Sequence, residues 1–472
     1  MNKYIKVIIM LFTISLASCQ SLVDGINDNP NDILITDIDA DLFLTGAMLA
    51  NSVAQGGHLT RISGMYSGQL VGLSSLYSNI YGFSLSTSES VASWSRIYVG
   101  TIPNLRHIRD VAPNDRLLVG ITKIVEAHAI GMAASLFGDV PYSEINNPDI
   151  VDPAFDDQVA VFNAAIALIE DGISDLSGAN SRLLAADIYF EGDAARWVEA
   201  AYTLKARYHM QMKDYSSAYA AAQNGISDGG GSLQYKPRGD ASISSGDKNL
   251  FWTILEGSRA GDIGTANSYM IQLLDTTSAI QRNNAKTDET ARWGYYSIDP
   301  SGGSANSGII EQFEAQNLIS YEENQLILAE AGARTNGLAT GLGHLNDLRA
   351  WFSTGGHLNA NFSGLPLKYE AYEVVDFENG GMENPDGIDA TRALLREIVE
   401  ERYVSGFLTR MPYNDARRLR ASDTDIAVPF FLVDGPNPPY AERMPYSDDE
   451  LNSNANAPAE DPGIFTKTKV NQ

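Results

Sequence analysis

Three times along this chain of 472 residues, a run of apolar residues at three- and four-residue spacing is followed by a short break and a second such run. In 115–137 the spaced residues are Leu117, Leu118, Ile121, Ile124, Val125, His128, Ala129, Met132 and Leu136; in 157–170 they are Val159, Val161, Phe162, Ala165, Ile166 and Ile169. That period gathers apolar side chains on one helix face. Gly138 and Pro141 lie between the two runs, where glycine ends a helix and proline prevents its continuation. A second pair is predicted over 193–212, with Trp197, Ala200, Ala201, Leu204, Tyr208 and Met212, and over 215–226, with Tyr219, Ala222 and Ile226. A third takes 322–335 and 342–352, and single helices are expected at 40–56 and about 389–408. Alanine-rich faces allow close approach, as in tetratricopeptide pairs. The pattern supports a mostly helical body with little β structure.

Two regions break the period. Residues 227–248 are rich in Gly, Ser and Asp, and 292–309 begin Arg-Trp-Gly-Tyr-Tyr and continue in Ser, Gly and Asn. Both read as long ordered loops, which are often functional.

The N-terminus carries a different signal. Lys3 and Lys6 precede an uncharged stretch from Val7 to Ser18 that ends Leu16-Ala17-Ser18-Cys19. This is the layout of an export signal, too short to cross a bilayer as a helix. A cysteine after small residues looks like the bacterial lipobox, which makes Cys19 the lipidated residue. It is also the one cysteine of the chain, so a disulfide framework, a cysteine metal cluster and a thiol nucleophile are excluded. The expected organisation is a signal peptide over 1–18, a lipidated cysteine and tether over 19–32, and a single helical domain with a loop-rich ligand-binding part over 33–472. With 33 Lys plus Arg against 59 Asp plus Glu the net charge is −26, and removing Lys3 and Lys6 with the signal makes it −28. Such a surface repels nucleic acid and tolerates neutral ligands such as sugars.

Several segments resemble the SusD/RagB family of outer-membrane nutrient-binding lipoproteins, in particular its second, SusD-like subgroup. They are, in order, the lipobox at Cys19, Asn29-Pro30-Asn31, and Phe137-Gly138-Asp139-Val140-Pro141-Tyr142-Ser143-Glu144. Asp187 to Met210 follows, with Gly192-Asp193, Trp197 and Leu204-Lys205-Ala206-Arg207, and then Ala329-Glu330-Ala331. Near the C-terminus come Glu400-Glu401-Arg402-Tyr403, Arg417-Arg418 and Arg443 to Glu450. The resemblance implies a SusD-like fold with tetratricopeptide-like helix pairs, no catalysis and no cofactor. It also implies a position at the cell surface, lipid-anchored to the outer membrane. There the protein would bind glycans or other oligomeric nutrients and deliver them to a SusC-like TonB-dependent transporter.

Sugars present apolar ring faces edged by hydroxyls, which aromatic platforms and planar polar side chains grip. Tyr77, Asn79 and Tyr81 offer one such mixture and Trp293, Tyr295 and Tyr296 another. Tyr77 and Tyr81 are four apart, so one buried helix face accounts for them equally well. Trp94 and Trp197 read as helix anchors, and Trp252 as a short strand or a pocket wall. The competing classes are a helical lipoprotein scaffold for proteins or peptides and a surface glycoside hydrolase. A glycosidase needs two opposed carboxylates, which the adjacent pairs Asp156-Asp157, Glu322-Glu323, Glu400-Glu401 and Asp448-Asp449 do not establish. No histidine pair has zinc-protease spacing. His128, within apolar helix positions, reads as a hydrogen-bonded core residue; Asp139 and Glu144 could suggest a cation site, but the family resemblance implies a structural loop; and Arg417-Arg418 could meet a carboxylated ligand, with an ordinary ion pair the favoured reading.

Overall fold

The computed structural model describes residues 40–243, 246–432 and 440–472. The export signal, Cys19 and the 19–32 tether lie outside the described residues. The main helices are α1 (Ala40–Gly56), α2 (Arg116–Phe137), α3 (Gln158–Ser177), α4 (Ala194–Gln211), α5 (Tyr215–Ala222), α6 (Thr290–Tyr296), α7 (Tyr321–Asn336), α8 (Leu338–Phe352), α9 (Ala390–Ser405) and α10 (Met411–Leu419). Shorter ones, including His58–Tyr66, Ser75–Tyr81 and Ile102–Val111, fill the gaps. Successive helices pack as the pairs α2/α3, α4/α5 and α7/α8.

Local chemistry sets these boundaries. The Asp115 side chain accepts the Leu118 N–H at the start of α2, and Asp157, Asp193, Asp214 and Asp389 cap α3, α4, α5 and α9 in the same way. Gly138, at φ +86°, follows the end of α2, and Gly337, at φ +92°, separates α7 from α8. Both angles lie in the region that glycine adopts without strain. Several predicted boundaries differ: α3 runs on to Ser177, α5 stops at Ala222 in turns that carry the chain through Gly225, α8 begins already at Leu338, and α9 stops at Ser405.

Close approach holds the pairs together. A Cβ on Gly120 of α2 would fall 2.6 Å from Leu176, and one on Gly172 of α3 would fall 2.7 Å from Ile124. A Cβ on Gly131 would lie 2.1 Å from the Tyr208 ring of α4, whose hydroxyl donates to the Ala127 carbonyl at 2.7 Å. One apolar core runs from Leu44 to Tyr446, and a small alanine-rich cluster lies between α4, α5 and α7. Helix α2 is long and apolar enough to cross a membrane, but 89% of that stretch is buried inside the protein.

The β structure is slight. Four antiparallel pairs join Val71–Gly72 to Ile263–Gly264, Val140–Pro141 to Phe155–Asp156, Leu233–Tyr235 to Gln316–Ile319, and Thr287–Asp288 to Lys368–Tyr369. Leu233–Tyr235 lies within the predicted 227–248 loop, and α6 takes the first residues of the predicted 292–309 loop; both segments are partly regular. Trp252 sits on the buried side of the short helix Leu250–Glu256 rather than in a strand.

Charged residues complete the interior. Glu330 of α7 binds Arg418 at 2.7 Å, and Asp415 bridges Arg418 and Arg402. Arg417 instead donates to the Ser135 and Glu442 carbonyls, so only the second residue of the arginine doublet is an ion pair. The Asp139 carboxylate accepts the Gln158 N–H, and Glu144 accepts the Ala154 N–H. The C-terminal segment returns to this loop. The Met444 N–H donates to the Leu136 carbonyl, Tyr446 to that of Asp139 and Asn454 to that of Pro153, while the Val470 N–H donates to Gln158.

Candidate functional site

Helix α6 presents two different faces. Inward, Arg292 is completely buried and donates to Ser405 at 2.8 Å and to Glu401. Burial raises the Glu401 carboxyl, but Arg292 and Arg282 outweigh it and hold the group at about 2. This ion pair ties α6 to α9. Outward, the Trp293 side chain is 41% exposed, the most open of the five tryptophans.

The segment 353–367 lies along the exposed side of α6. The Ala291 N–H donates to the Pro366 carbonyl, and the Phe362 ring sits where a Cβ on Gly294 would fall, at 2.9 Å. Glycine at 294 is thus what admits the Phe362 ring onto this helix, where it packs edge-on against Tyr295 at 5.8 Å. Leu365, 42% exposed, reaches within 3.7 Å of the same position. Asn359 and Asn361 both donate to the Ser307 carbonyl, at 2.9 and 3.1 Å. Trp293 therefore stands exposed on a fixed helix, with segment 353–367 packed against the neighbouring Gly294 and Tyr295. A flat apolar ring edged by amides is the surface a sugar ring stacks on.

Beneath this surface is a polar cavity of about 130 Å³. Tyr295 and Tyr296 line it and are buried. In their present positions they offer no exposed platform, contrary to the expectation of an aromatic cluster in an open loop. Their role is lateral: the Tyr295 hydroxyl donates to Glu314 at 3.1 Å, and Asn359 donates to the other oxygen of that carboxylate at 2.9 Å. Trp351, His357 and Glu322 also line the cavity. One Glu322 oxygen and both His357 ring nitrogens are shut off from solvent and meet no hydrogen-bond partner among the described residues. Burial lowers His357 to about 3 and raises the Glu314 and Glu322 carboxyls. The two carboxyls move in the same direction, whereas hydrolytic acid–base work needs a pair pushed apart.

The early segment is placed differently. Tyr77 and Tyr81 lie on the buried face of Ser75–Tyr81, with Tyr77 taking a hydrogen bond from Arg61 at 2.8 Å. Gly72 is the reason: its missing side chain lets the helix backbone at Tyr77 settle against the strand. Neither tyrosine shows a ring to solvent, a correction to the expected ligand pair; Asn79 is exposed. The segment Gly261–Thr265 lies between the two predicted halves, with Ile263–Gly264 paired to Val71–Gly72 and Thr265 accepting the Ile298 N–H at 2.8 Å.

Sequence reasoning missed segment 353–367, although its run of Gly, Asn and Ser after a helix is itself a loop signal. It also missed Trp351, His357, Glu314 and the separation of Glu322 from Glu323: Glu322 faces the cavity while Glu323 binds Arg207. Among the described residues no cluster of His, Cys, Asp and Glu is arranged to hold a metal ion.

Stacked helix pairs joined by long, partly regular loops define a mostly α-helical repeat fold. A family model for SusD-like proteins, described as starch-binding associating with outer membrane, matches residues 32–341. The chain belongs to this SusD-like family, whose members are outer-membrane nutrient-binding proteins and generally non-catalytic. Solved structures agree on the fold. A SusD/RagB family protein from Bacteroides thetaiotaomicron is 18% identical over 89% of this chain and 95% of its own, with a TM-score of 0.63. A SusD homolog from Bacteroides uniformis is 16% identical over 92% and 100%, at 0.66. A chitin-binding SusD homolog from Flavobacterium johnsoniae is 16% identical over 91% and 98%, at 0.65. A search of curated proteins gives no match.

Proposed function

We propose that this protein captures a neutral glycan at the cell surface and hands it to a SusC-like TonB-dependent transporter, with Cys19 as its lipid anchor and 19–32 as the tether. The observation that carries the reading is Trp293. A tryptophan 41% exposed on a helix anchored by the Arg292–Glu401 pair has a low ordering cost on binding. Its ring stacks against a sugar face while the amides take hydroxyls. The net charge of −26 favours an uncharged polymer over an anionic one. The starch-binding description of the family and the chitin-binding relative support a polymeric sugar as the ligand class. The polar cavity below buttresses the platform through Tyr295, Glu314 and Asn359.

A glycan-array screen followed by calorimetric titration tests this. Trp293→Ala is expected to weaken the best glycan by about tenfold or more, from the loss of roughly 1.5 kcal/mol of stacking. Its melting temperature should stay within about 1 °C of the parent, because the ring is largely outside the core. Undiminished binding in the variant would remove Trp293 from the site, and an array without any glycan ligand would overturn the glycan reading.

A further inference from the structure

A second cavity, of about 40 Å³, lies where α1, α2, α4 and α10 meet, remote in character from the aromatic surface. Its charged lining consists of Arg207, Arg402 and Arg410 against Glu323 and Asp415. Arg207 is paired with Glu323, with Nε to Oε1 at 2.6 Å, and Arg402 with Asp415 at 2.8 Å. Arg410 has no carboxylate among the described residues. It donates to the Gln55 backbone and side-chain oxygens and, at 3.4 Å, to Thr60. His128, on the same wall, is neutral, because its Nε2 lies 3.2 Å from an Arg207 nitrogen and serves as the acceptor. The cavity therefore faces one uncompensated positive charge.

Two donors are also left over. Nε of Arg410 and Nη1 of Arg402 are buried and meet no acceptor among the described residues. Arg410 is only 9% exposed, and burying a lone cation costs several kcal/mol unless something of opposite sign answers it. Burial, with the positive charges of Arg207 and Arg417, brings the Arg410 guanidinium down to about 9, which leaves it protonated at neutral pH.

We propose that this cavity is a binding site for a small inorganic monoanion of the size of chloride, held by Arg410 with Arg402 at its side. Size decides the class. Roughly 10–15 Å³ of such space suffices for one water, so about 40 Å³ takes a halide and excludes any sugar or carboxylated oligomer. Half-buried Thr409, Met411 and Asn414 form the rim and leave an ion a way in. The anion completes the interior where α10 meets the first helices.

The test is thermal unfolding of the protein in sodium chloride, sodium bromide and sodium methanesulfonate at constant ionic strength, the last anion being the bulkier control that does not match a halide site. Both halides are expected to raise Tm saturably by about 2–4 °C over methanesulfonate, and Arg410→Gln is expected to abolish the difference. Equal Tm in all three salts, or a halide rise retained in Arg410→Gln, overturns the proposal. Should the variant fail to fold, crystals of the parent protein grown in bromide decide. An anomalous peak in the cavity supports the site, and a map without one there overturns it.

Discussion

Replacing His357 with leucine should make the fold less sensitive to mild acid, and the structure sets the size of the effect. The imidazole packs against Phe352 at 4.5 Å, Trp351 at 5.8 Å and Tyr369 at 5.9 Å, measured between ring centroids. Burial and the nearby Arg292 charge lower it to about 3, opposed weakly by Glu401. The unfolded chain binds that proton near pH 6.5. A folded-state value below the unfolded one means the contribution to stability is complete above pH 6.5. It is lost progressively as pH falls from there toward 3. Between pH 7 and pH 5 the unfolded state takes up about 0.7 of a proton at this residue and the folded state almost none, which costs the parent protein about 2 kcal/mol. Carboxyls such as buried Glu397 and half-buried Glu400, raised in the fold, act in the opposite sense, so the parent curve alone does not isolate the histidine. The difference between parent and His357→Leu does. Leucine breaks no side-chain hydrogen bond of the described residues, because neither ring nitrogen makes one among them. Melting curves at pH 7, 6 and 5 should show the parent losing about 2 kcal/mol more than the variant. At about 2.1 cal/mol/K per residue, that corresponds to roughly 2 °C of Tm for a chain of this length. Parallel curves would refute the reasoning: the imidazole would then be taking a proton inside the fold, and burial would not be what controls it.

Two further changes probe the scaffold. Gly131→Ala drives a methyl into the Tyr208 ring and should lower stability by about 1–3 kcal/mol in urea unfolding, whereas an unchanged midpoint would mean that α2 and α4 can separate at no cost. Glu330→Gln leaves Arg418, Arg402 and Arg334 short of a buried counter-charge and should cost about 3–5 kcal/mol by the same assay. A loss below 1 kcal/mol would show that Asp415 alone neutralises the cluster.

The long helices were legible because their burial is achieved with apolar side chains at helical period: α2, α4 and α7 begin and end within a residue or so of the predicted ranges. Helix α10 was not. Its inward side chains include Arg417 and Arg418, which are buried by hydrogen bonds and ion pairs with residues far away in sequence, and apolar periodicity cannot register that. The short α6 was hidden for a related reason, since its inward anchor is Arg292. At the candidate site, the residue types were legible and their directions were not. Trp293 and Tyr295 are two apart, so on a helix they point to different sides, but the Ser and Gly that follow suggested a loop in which both were open. The spacing of Tyr77 and Tyr81 left two readings, and only the neighbouring Gly72 shows why the helix lies so close to the strand. His128 was legible as structural from its apolar helix context, and the Asp139 and Glu144 carboxylates only through the family resemblance.

The return of the C-terminal segment to the Gly138–Asp157 turn imposes an order of events on folding. Residues 444–470 supply hydrogen bonds to Leu136, Asp139, Pro153 and Gln158, so a turn made in the first third of synthesis waits for the last residues before it is complete. A chain delivered N-terminus first can pair α2 with α3 early, yet the clasp across their junction closes only when the tail arrives. Until then the turn lacks the partners that the tail supplies, so turn and tail are locked together by the same few hydrogen bonds.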